Sequence, residues 1–327
     1  MRVLVTGSSG RIGSAVVQAL LGRGHVVRGF DLRPTGRQDA GYDEVTGKLE
    51  DANAVALAVV EVEAVLHLGA FMSWVATDRA AMFRTNVEGT HVLADAASAA
   101  GVGRFVFASS GEVYPENSPQ FQPITEDHPL TPTSAYGLTK LLGEQIIQFH
   151  QRSGTMQTVI LRFSHTQDAT ELLDEDSLFS GPRFFLRPRI RQQEAFGNHA
   201  VVDILRHADP GHPAHVLACN QHGRPFRMHI TETRDMVQGI LLSMTHTAAA
   251  GQAFNLGATN PVDFADLLPQ VAQYTGLPIV TVDLPGQGVF YHTANDKIRA
   301  TLGYNPEWPM DRILKEAAKA RTERLRA

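Results

Sequence analysis

The chain has 327 residues and 35.7 kDa, 43% of them hydrophobic and 19% charged, with a mean hydropathy of −0.13. That excludes a fibre or a disordered tail and points to two cores or one large α/β unit. With 34 Asp+Glu against 29 Lys+Arg the net charge is −5, which gives a polyanion nothing to bind, so nucleic acid is not expected as a partner.

Short β-branched or apolar runs at Arg2–Thr6, Val26–Phe30, Ala64–Leu68, Arg104–Ala108 and Thr158–Phe163 alternate with segments of helical period at Ile12–Arg23, Ala52–Val60, Thr85–Ala100 and Tyr136–Arg152. Apolar strands alternating with helices predict a doubly wound parallel sheet covered on both faces, an α/β fold of Rossmann type. From Ser164 to Phe226 the regularity fails and the sequence reads as an irregular insert on the substrate side. A short run at Arg227–Thr231, a helix Glu232–Thr245, a strand Ala253–Leu256, a helix Asp263–Tyr274 capped by Gly276, a strand Ile279–Leu284 and a helix Met310–Arg324 follow. The division expected is a dinucleotide-binding domain over 1–165, to which 227–257 returns, and a smaller substrate lobe from 166–226 and 258–327. The single cysteine, Cys219, forbids an intramolecular disulfide and reads as a small buried hydrophobe. No apolar run is long enough to span a membrane, and no signal peptide is recognised, so the expectation is a cytoplasmic protein without a membrane partner.

The glycine loop carries the first functional signal. Gly7-Ser8-Ser9-Gly10-Arg11-Ile12-Gly13 follows the first strand and opens the first helix, the context in which backbone amides approach a pyrophosphate unobstructed by a Cβ. Asp31 stands 18 residues after Gly13, at the end of the second strand, where a dinucleotide fold places the acid that holds the adenosine ribose. A carboxylate there repels a 2′-phosphate and favours NAD over NADP, with Arg33, two residues on, as the group that would serve a phosphate.

With His67-Leu68-Gly69-Ala70, Asn86-Val87-Glu88-Gly89-Thr90, Phe107-Ala108-Ser109-Ser110-Gly111-Glu112-Val113-Tyr114 and Tyr136-Gly137-Leu138-Thr139-Lys140 in the same order, the chain resembles the extended short-chain dehydrogenase/reductases, the NAD-dependent epimerase/dehydratase family of sugar-nucleotide epimerase-like enzymes. The resemblance implies NAD contacts from Gly7, Ser9, Gly10, Arg11, Ile12, Gly13, Asp31, Leu32, Arg33, Leu49, Leu68, Gly69, Ala70, Asn86, Ala108, Ser109, Tyr136 and Lys140. It also implies a carbohydrate substrate and a homodimer built on the helices Thr85–Ala100 and Tyr136–Arg152.

Tyr136 and Lys140 lie at i and i+4 on one helical face, which sets an ammonium beside a phenol. Each unit of phenol depression requires about 1.4 kcal/mol of selective phenolate stabilisation, and Lys140 with a positive nicotinamide is expected to provide two to three such units. Tyr136 then serves as base for a hydroxyl proton while hydride leaves the same carbon. In the resemblance Ser110, 26 residues earlier, holds that oxygen. Glu112 matches the glutamate of sugar-nucleotide dehydratases and decarboxylases, where simple 4-epimerases carry a small or hydroxylated residue, and is the candidate second base. Gly111 lacks the acid of the dTDP-glucose dehydratases, which leaves proton abstraction beside a transient ketone.

The chain also departs from the family. Gly47-Lys48-Leu49 replaces Gly-Asp-Leu, and Ser164-His165-Thr166-Gln167-Asp168 replaces Asn-x-Tyr-Gly-Pro, so His165 and Thr166 are expected on substrate together with Ser110, Gly111 and Glu112. Leu284-Pro285-Gly286-Gln287-Gly288 lacks the diphosphate arginine of sugar-nucleotide members, leaving Arg224 or Arg227 as a lone match, and one cation grips a diphosphate poorly compared with a pair. A free sugar, sugar acid or lactone therefore gains weight as substrate. Six histidines (199, 207, 212, 215, 222 and 229) fall within 31 residues without metal-ligand spacing, so no metal is expected. The arginines at 183, 187, 189 and 191 read as a polar wall, an anion contact or a solvated face. The leading expectation is an epimerase or dehydratase type reaction that regenerates NAD. Net dehydrogenation of a free sugar, sugar acid or lactone is the alternative, and a non-catalytic NAD-sensing regulator is the alternative of another class.

Overall fold

The structure, a computed structural model, describes residues 1–115 and 117–326. Its centre is a seven-stranded parallel sheet built from β1 (Arg2–Thr6), β2 (Val26–Asp31), β3 (Tyr42–Thr46), β4 (Ala64–His67), β5 (Arg104–Ser110), β6 (Gln157–Phe163) and the strand Ala253–Leu256. The order across the sheet is Ala253–Leu256, β6, β5, β4, β1, β2, β3. The chain winds outward from β1 in one direction through β2 and β3, and in the other through β4, β5 and β6. The crevice between β1 and β4 is therefore the switch point at which doubly wound sheets bind ligands.

Alternation along the strands decides which face each side chain covers. In β1, Val3 and Val5 join one apolar cluster with Val16, Val17 and Leu20 of the helix Arg11–Leu21, while Leu4 joins another on the opposite face with Phe30, Val55 and Leu93. Both faces are thus covered by helices, which is why these strands carry apolar residues on both faces. Cys219 is buried, as expected of a small hydrophobe.

Three differences from the sequence reading have physical reasons. Ser164–Phe226 is not irregular. It holds the helices Ser180–Phe184, Leu186–Ala195 and His199–His207 and the strand His215–Cys219. The first two are 5 and 10 residues long and follow one another almost without a linker, with Pro182 and Pro188 inside their first turns, so neither extends far enough to display a period. Second, β3, with the sequence YDEVT, is half-buried along its length at the sheet edge; edge strands tolerate polar residues and so escape a hydrophobic pattern. Third, the segment expected as one helix from Thr85 begins as a π-helical turn, Arg84–Glu88, before the helix Gly89–Ala99. Among the described residues no helix is long and apolar enough to cross a membrane.

Beyond the sheet, a third apolar cluster joins Phe184, Phe185, Leu186, Val202 and Leu205 to Phe264, Leu267, Val271, Ile313 and Leu314. Its small sheets pair Ile230–Glu232 with His165–Gln167, Arg227–Met228 with Val262–Asp263, and His215–Cys219 with Ile279–Asp283. This cluster forms the wall that faces the carboxyl ends of the central strands.

Candidate active site

Gly7 has φ +68°, a left-handed conformation, and a Cβ on it would fall 2.7 Å from Gly69 Cα. A Cβ on Gly13 would fall 2.0 Å from Gly7 O. Both positions exclude any side chain, which lets the loop after β1 fold tightly against the loop after β4 and begin the helix Arg11–Leu21 with free amides. Thr6 Oγ1 braces this contact by accepting from the backbone N–H of Leu68 (3.1 Å) and Gly69 (3.0 Å).

At the end of β2 the Asp31 carboxylate accepts from the backbone N–H of Ser9 (3.1 Å) and of Leu32 (2.7 Å). The acid is therefore held against the glycine loop, as a ribose ligand requires. Leu32 is exposed, and Leu49 lies in the apolar cluster with Phe30 and packs its Cβ beneath Gly89. Asn86 is buried: its Oδ1 accepts from Phe71 N (2.8 Å), and its Nδ2 donates to Phe71 O (2.8 Å) and Thr139 Oγ1 (3.0 Å). The amide of Asn86 is thus consumed in fixing the loop after β4 to the helix Ala135–Ser153, so Asn86 positions its neighbours.

A cavity of about 920 Å³ opens over the switch point. Its lining includes Gly7, Gly10, Arg11, Ile12, Gly13, Leu68, Ala108 and Ser109 of the expected cofactor residues, together with Ser110, Glu112, Tyr136, Lys140, His165 and Thr166. Ser9, Asp31, Leu32, Arg33, Leu49, Gly69, Ala70, Asn86, Gly111 and Arg227 lie outside its lining. For Arg227 the reason is strand alternation: Phe226 and Met228 on either side face the cavity, so residue 227 faces away. For Gly111 the reason is packing, since a Cβ there would sit 1.6 Å from the hydroxyl of the buried Tyr291. The missing acid at 111 is thus enforced by Tyr291, a residue the sequence reading did not single out.

Lys140, on the helix that carries Tyr136, donates from Nζ to the Ala108 carbonyl at 2.7 Å and stands 5.6 Å from the centre of the Tyr136 ring. Burial lowers its pKa from 10.5 to about 8. For Tyr136 the protein's own groups act in the opposite sense to the nicotinamide charge. Burial, and after it the charge of Glu112, push the phenol above its ordinary value, and the ammonium, spent on a carbonyl, makes no hydrogen bond to the hydroxyl. Lys140 alone therefore does not depress Tyr136, because the desolvation of a phenolate outweighs an ammonium turned elsewhere.

Ser110 Oγ accepts from Glu112 N at 3.2 Å, which fixes the turn that delivers both residues to the cavity. Glu112 Oε2 accepts from Ser134 Oγ, the N-cap of the helix Ala135–Ser153. Burial raises the Glu112 carboxyl above the usual range while the Ser134 hydrogen bond lowers it. Sequence reasoning missed Ser134, although a Ser two residues before an active-site Tyr carries the signal of a cap. Ser109, expected at the cofactor, lines the cavity, and its Oγ donates to Glu144 Oε1 at 2.6 Å. Glu144 in turn pairs with Arg162 at 2.8 Å, both almost fully buried, and Arg162 reaches the Tyr114 hydroxyl at 2.8 Å. This network lies beneath the catalytic strand end and fixes β5 to β6.

The six histidines do not converge. His215, for instance, is buried between Phe184 O and Thr275 Oγ1, and His229 Nε2 accepts from Thr293 N. Among the described residues no group of three or more His, Cys, Asp or Glu is placed to hold a metal ion.

A doubly wound sheet with a glycine loop at its switch point and a Ser, Tyr and Lys beside it defines a dinucleotide-binding α/β protein of reductase type. The model of the NAD-dependent epimerase/dehydratase family matches residues 3–167, half of the chain, and the protein belongs to that family and is an NAD-dependent enzyme. A UDP-glucose 4-epimerase of Erwinia amylovora is 31% identical over 278 residues, covering 79% of this chain and 78% of that one. A UDP-glucose 4-epimerase of Lactobacillus helveticus is 26% identical over 94% of this chain and 92% of its own. Among solved structures, a short-chain dehydrogenase/reductase superfamily protein from Agrobacterium tumefaciens, crystallised with bound NAD, is 67% identical with a TM-score of 0.97, covering 99% of this chain and 98% of that one.

Proposed function

We propose that the protein acts on a secondary hydroxyl of a sugar or sugar derivative by transient hydride transfer, in an epimerase or dehydratase type reaction that regenerates NAD. One observation carries the reading: Ser110, Glu112, Tyr136 and Lys140 share a single cavity with the glycine loop. The cradle at Gly7 and Gly13, where no Cβ fits, and the acid held at Asp31 suit NAD. When bound, NAD supplies the hydride acceptor and a positive ring beside the phenol. Tyr136 would take the substrate hydroxyl proton, and Ser110 would hold the same oxygen by a hydrogen bond. Lys140 keeps its charge near the phenol and ties the helix to β5 through Ala108 O. Glu112, with its raised pKa and its hydrogen bond from Ser134, exchanges a proton at the carbon beside the transient carbonyl.

Net dehydrogenation of a free sugar, sugar acid or lactone is the second reading, favoured by Arg227 lying outside the cavity lining and by the absence of an arginine from Leu284–Gly288. A panel of free sugars, aldonates, uronates and nucleotide sugars, followed for both NADH and product by NMR, decides between them. Product without NADH accumulation supports the redox-neutral reaction, and stoichiometric NADH overturns it. We also propose a homodimer through the helices Gly89–Ala99 and Ala135–Ser153; the second exposes Leu138 and Phe149, and light scattering should give the mass of two chains.

A further inference from the structure

The arginines at 183, 187, 189 and 191 split into two pairs. Arg187 and Arg191 are exposed, and Arg187 meets Asp209 at 3.7 Å. Arg183 and Arg189 face the cavity. The Nη1 of Arg183 and the Nε of Arg189 are buried without a hydrogen-bond partner, and neither guanidinium is paired with a carboxylate of any described residue. Glu175 and Asp176, which share the cavity wall, make no ion pair with either. Among the described residues, the one hydrogen bond either guanidinium makes is a long one, from Arg189 Nη1 to Pro182 O at 3.4 Å. Of the two other arginines at this cavity, Arg11 is by contrast neutralised by Glu171, and Arg191 is exposed to solvent.

Two unneutralised guanidinium groups in one cavity, half-buried and each with a buried N–H that has no partner, are costly unless something negative arrives. Burial pushes both down to about 10, and for Arg183 the charges of Arg11 and Arg189 add to the effect. The protein nevertheless fixes them in place. Each sits next to a proline that lines the cavity, Pro182 and Pro188, and the guanidinium of Arg189 stands 5.8 Å from the Phe226 ring centre. The direction from the catalytic centre is also set. Arg183 lies close enough to His165 for its charge to help depress that imidazole, and His165 packs edge-on against Tyr291, which covers Gly111 beside Ser110.

Resting on the reading of this cavity as the substrate end of a hydride-transfer site, we propose that Arg183 and Arg189 form an oxyanion-binding site for a carboxylate or phosphate group of the substrate. Planar guanidinium groups present paired N–H donors that match either oxyanion. The site would select a charged sugar derivative over its neutral counterpart, because the neutral one leaves both cations unpaired.

The experiment uses the full chain with NAD and four probes: D-glucuronate, inorganic phosphate, UDP-glucose and neutral glucose. Thermal unfolding and calorimetry read binding, and NAD affinity is measured on the same samples. At least one anionic probe should bind saturably and more than tenfold tighter than glucose. R183Q and R189Q should each weaken it about tenfold or more, with melting temperatures at or above wild type and unchanged NAD affinity. Tightest binding of glucuronate identifies a carboxylate as the ligand group, and tightest binding of phosphate or UDP-glucose identifies a phosphate. Glucose binding as tightly as every anion, no anion binding at all, anion binding indifferent to both substitutions, or variants that melt well below wild type would each overturn the proposal. If NAD binding persists in those cases the cofactor reading stands, and if wild type fails to bind NAD, the reading of the cavity falls as well.

Discussion

Replacing Lys140 with methionine removes a buried ammonium while keeping most of its stem. Burial holds the folded-state pKa at about 8 against 10.5 for the free side chain, a gap that corresponds to about 3 kcal/mol. The unfolded chain binds the extra proton between those values, so stability rises with pH there. The penalty is complete below about pH 8 and fades toward 10.5. The substitution also strands the Ala108 carbonyl, which accepts from Nζ at 2.7 Å, and a buried acceptor without a partner costs about 1–3 kcal/mol. K140M is therefore expected to be as stable as wild type or about 1–2 kcal/mol more stable near pH 7. Near pH 9.5 most of the wild-type penalty has gone, and the comparison should move by about 2 kcal/mol in favour of wild type. Urea denaturation of both proteins at the two pH values, without added NAD, measures this, and turnover of K140M should be lost throughout. A stability difference that does not change with pH would show that the ammonium is not desolvated as the geometry implies.

E112Q should lower product formation about 10²-fold or more while leaving single-turnover reduction of NAD largely intact, because it removes proton exchange beside the carbonyl and spares the hydroxyl chemistry; NMR and nicotinamide absorbance separate the two. G111A drives a Cβ to within 1.6 Å of the Tyr291 hydroxyl and should cost about 1–3 kcal/mol of stability by overpacking, with Y291F in the same chain restoring part of the loss in a thermal melt. D31A removes the carboxylate that accepts from Ser9 and Leu32. It should shrink the preference for NAD over NADP about tenfold or more by calorimetry.

Much of the fold was legible because its central strands carry apolar residues on both faces and alternate with amphipathic helices. The pattern gave strands β1, β2, β4, β5 and β6 and the last helix Met310–Arg324 with its exact ends. What escaped was short, polar or at an edge: β3 because an edge strand needs no apolar side, and the helices Ser180–Phe184 and Leu186–Ala195 because proline and arginine occupy their few turns. At the site, spacing located the glycine loop, Asp31 and the Tyr136 and Lys140 pair, and the family resemblance added Ser110 and Glu112. Spacing could not show what fills the space between elements far apart in sequence. Tyr291 against Gly111, Ser134 on Glu112, and the separation of Arg183 and Arg189 from Arg187 all depend on which side of an element faces the cavity. The elevated phenol of Tyr136 belongs to the same class, because desolvation is a property of the assembled cavity.

The most direct test is Y136F loaded with NAD and mixed with a substrate that wild type turns over, followed by nicotinamide absorbance in a single turnover. The account predicts unchanged NAD affinity and a fall in the rate of nicotinamide reduction by about 10²-fold or more, since only the proton acceptor is gone. Reduction at the wild-type rate would contradict it.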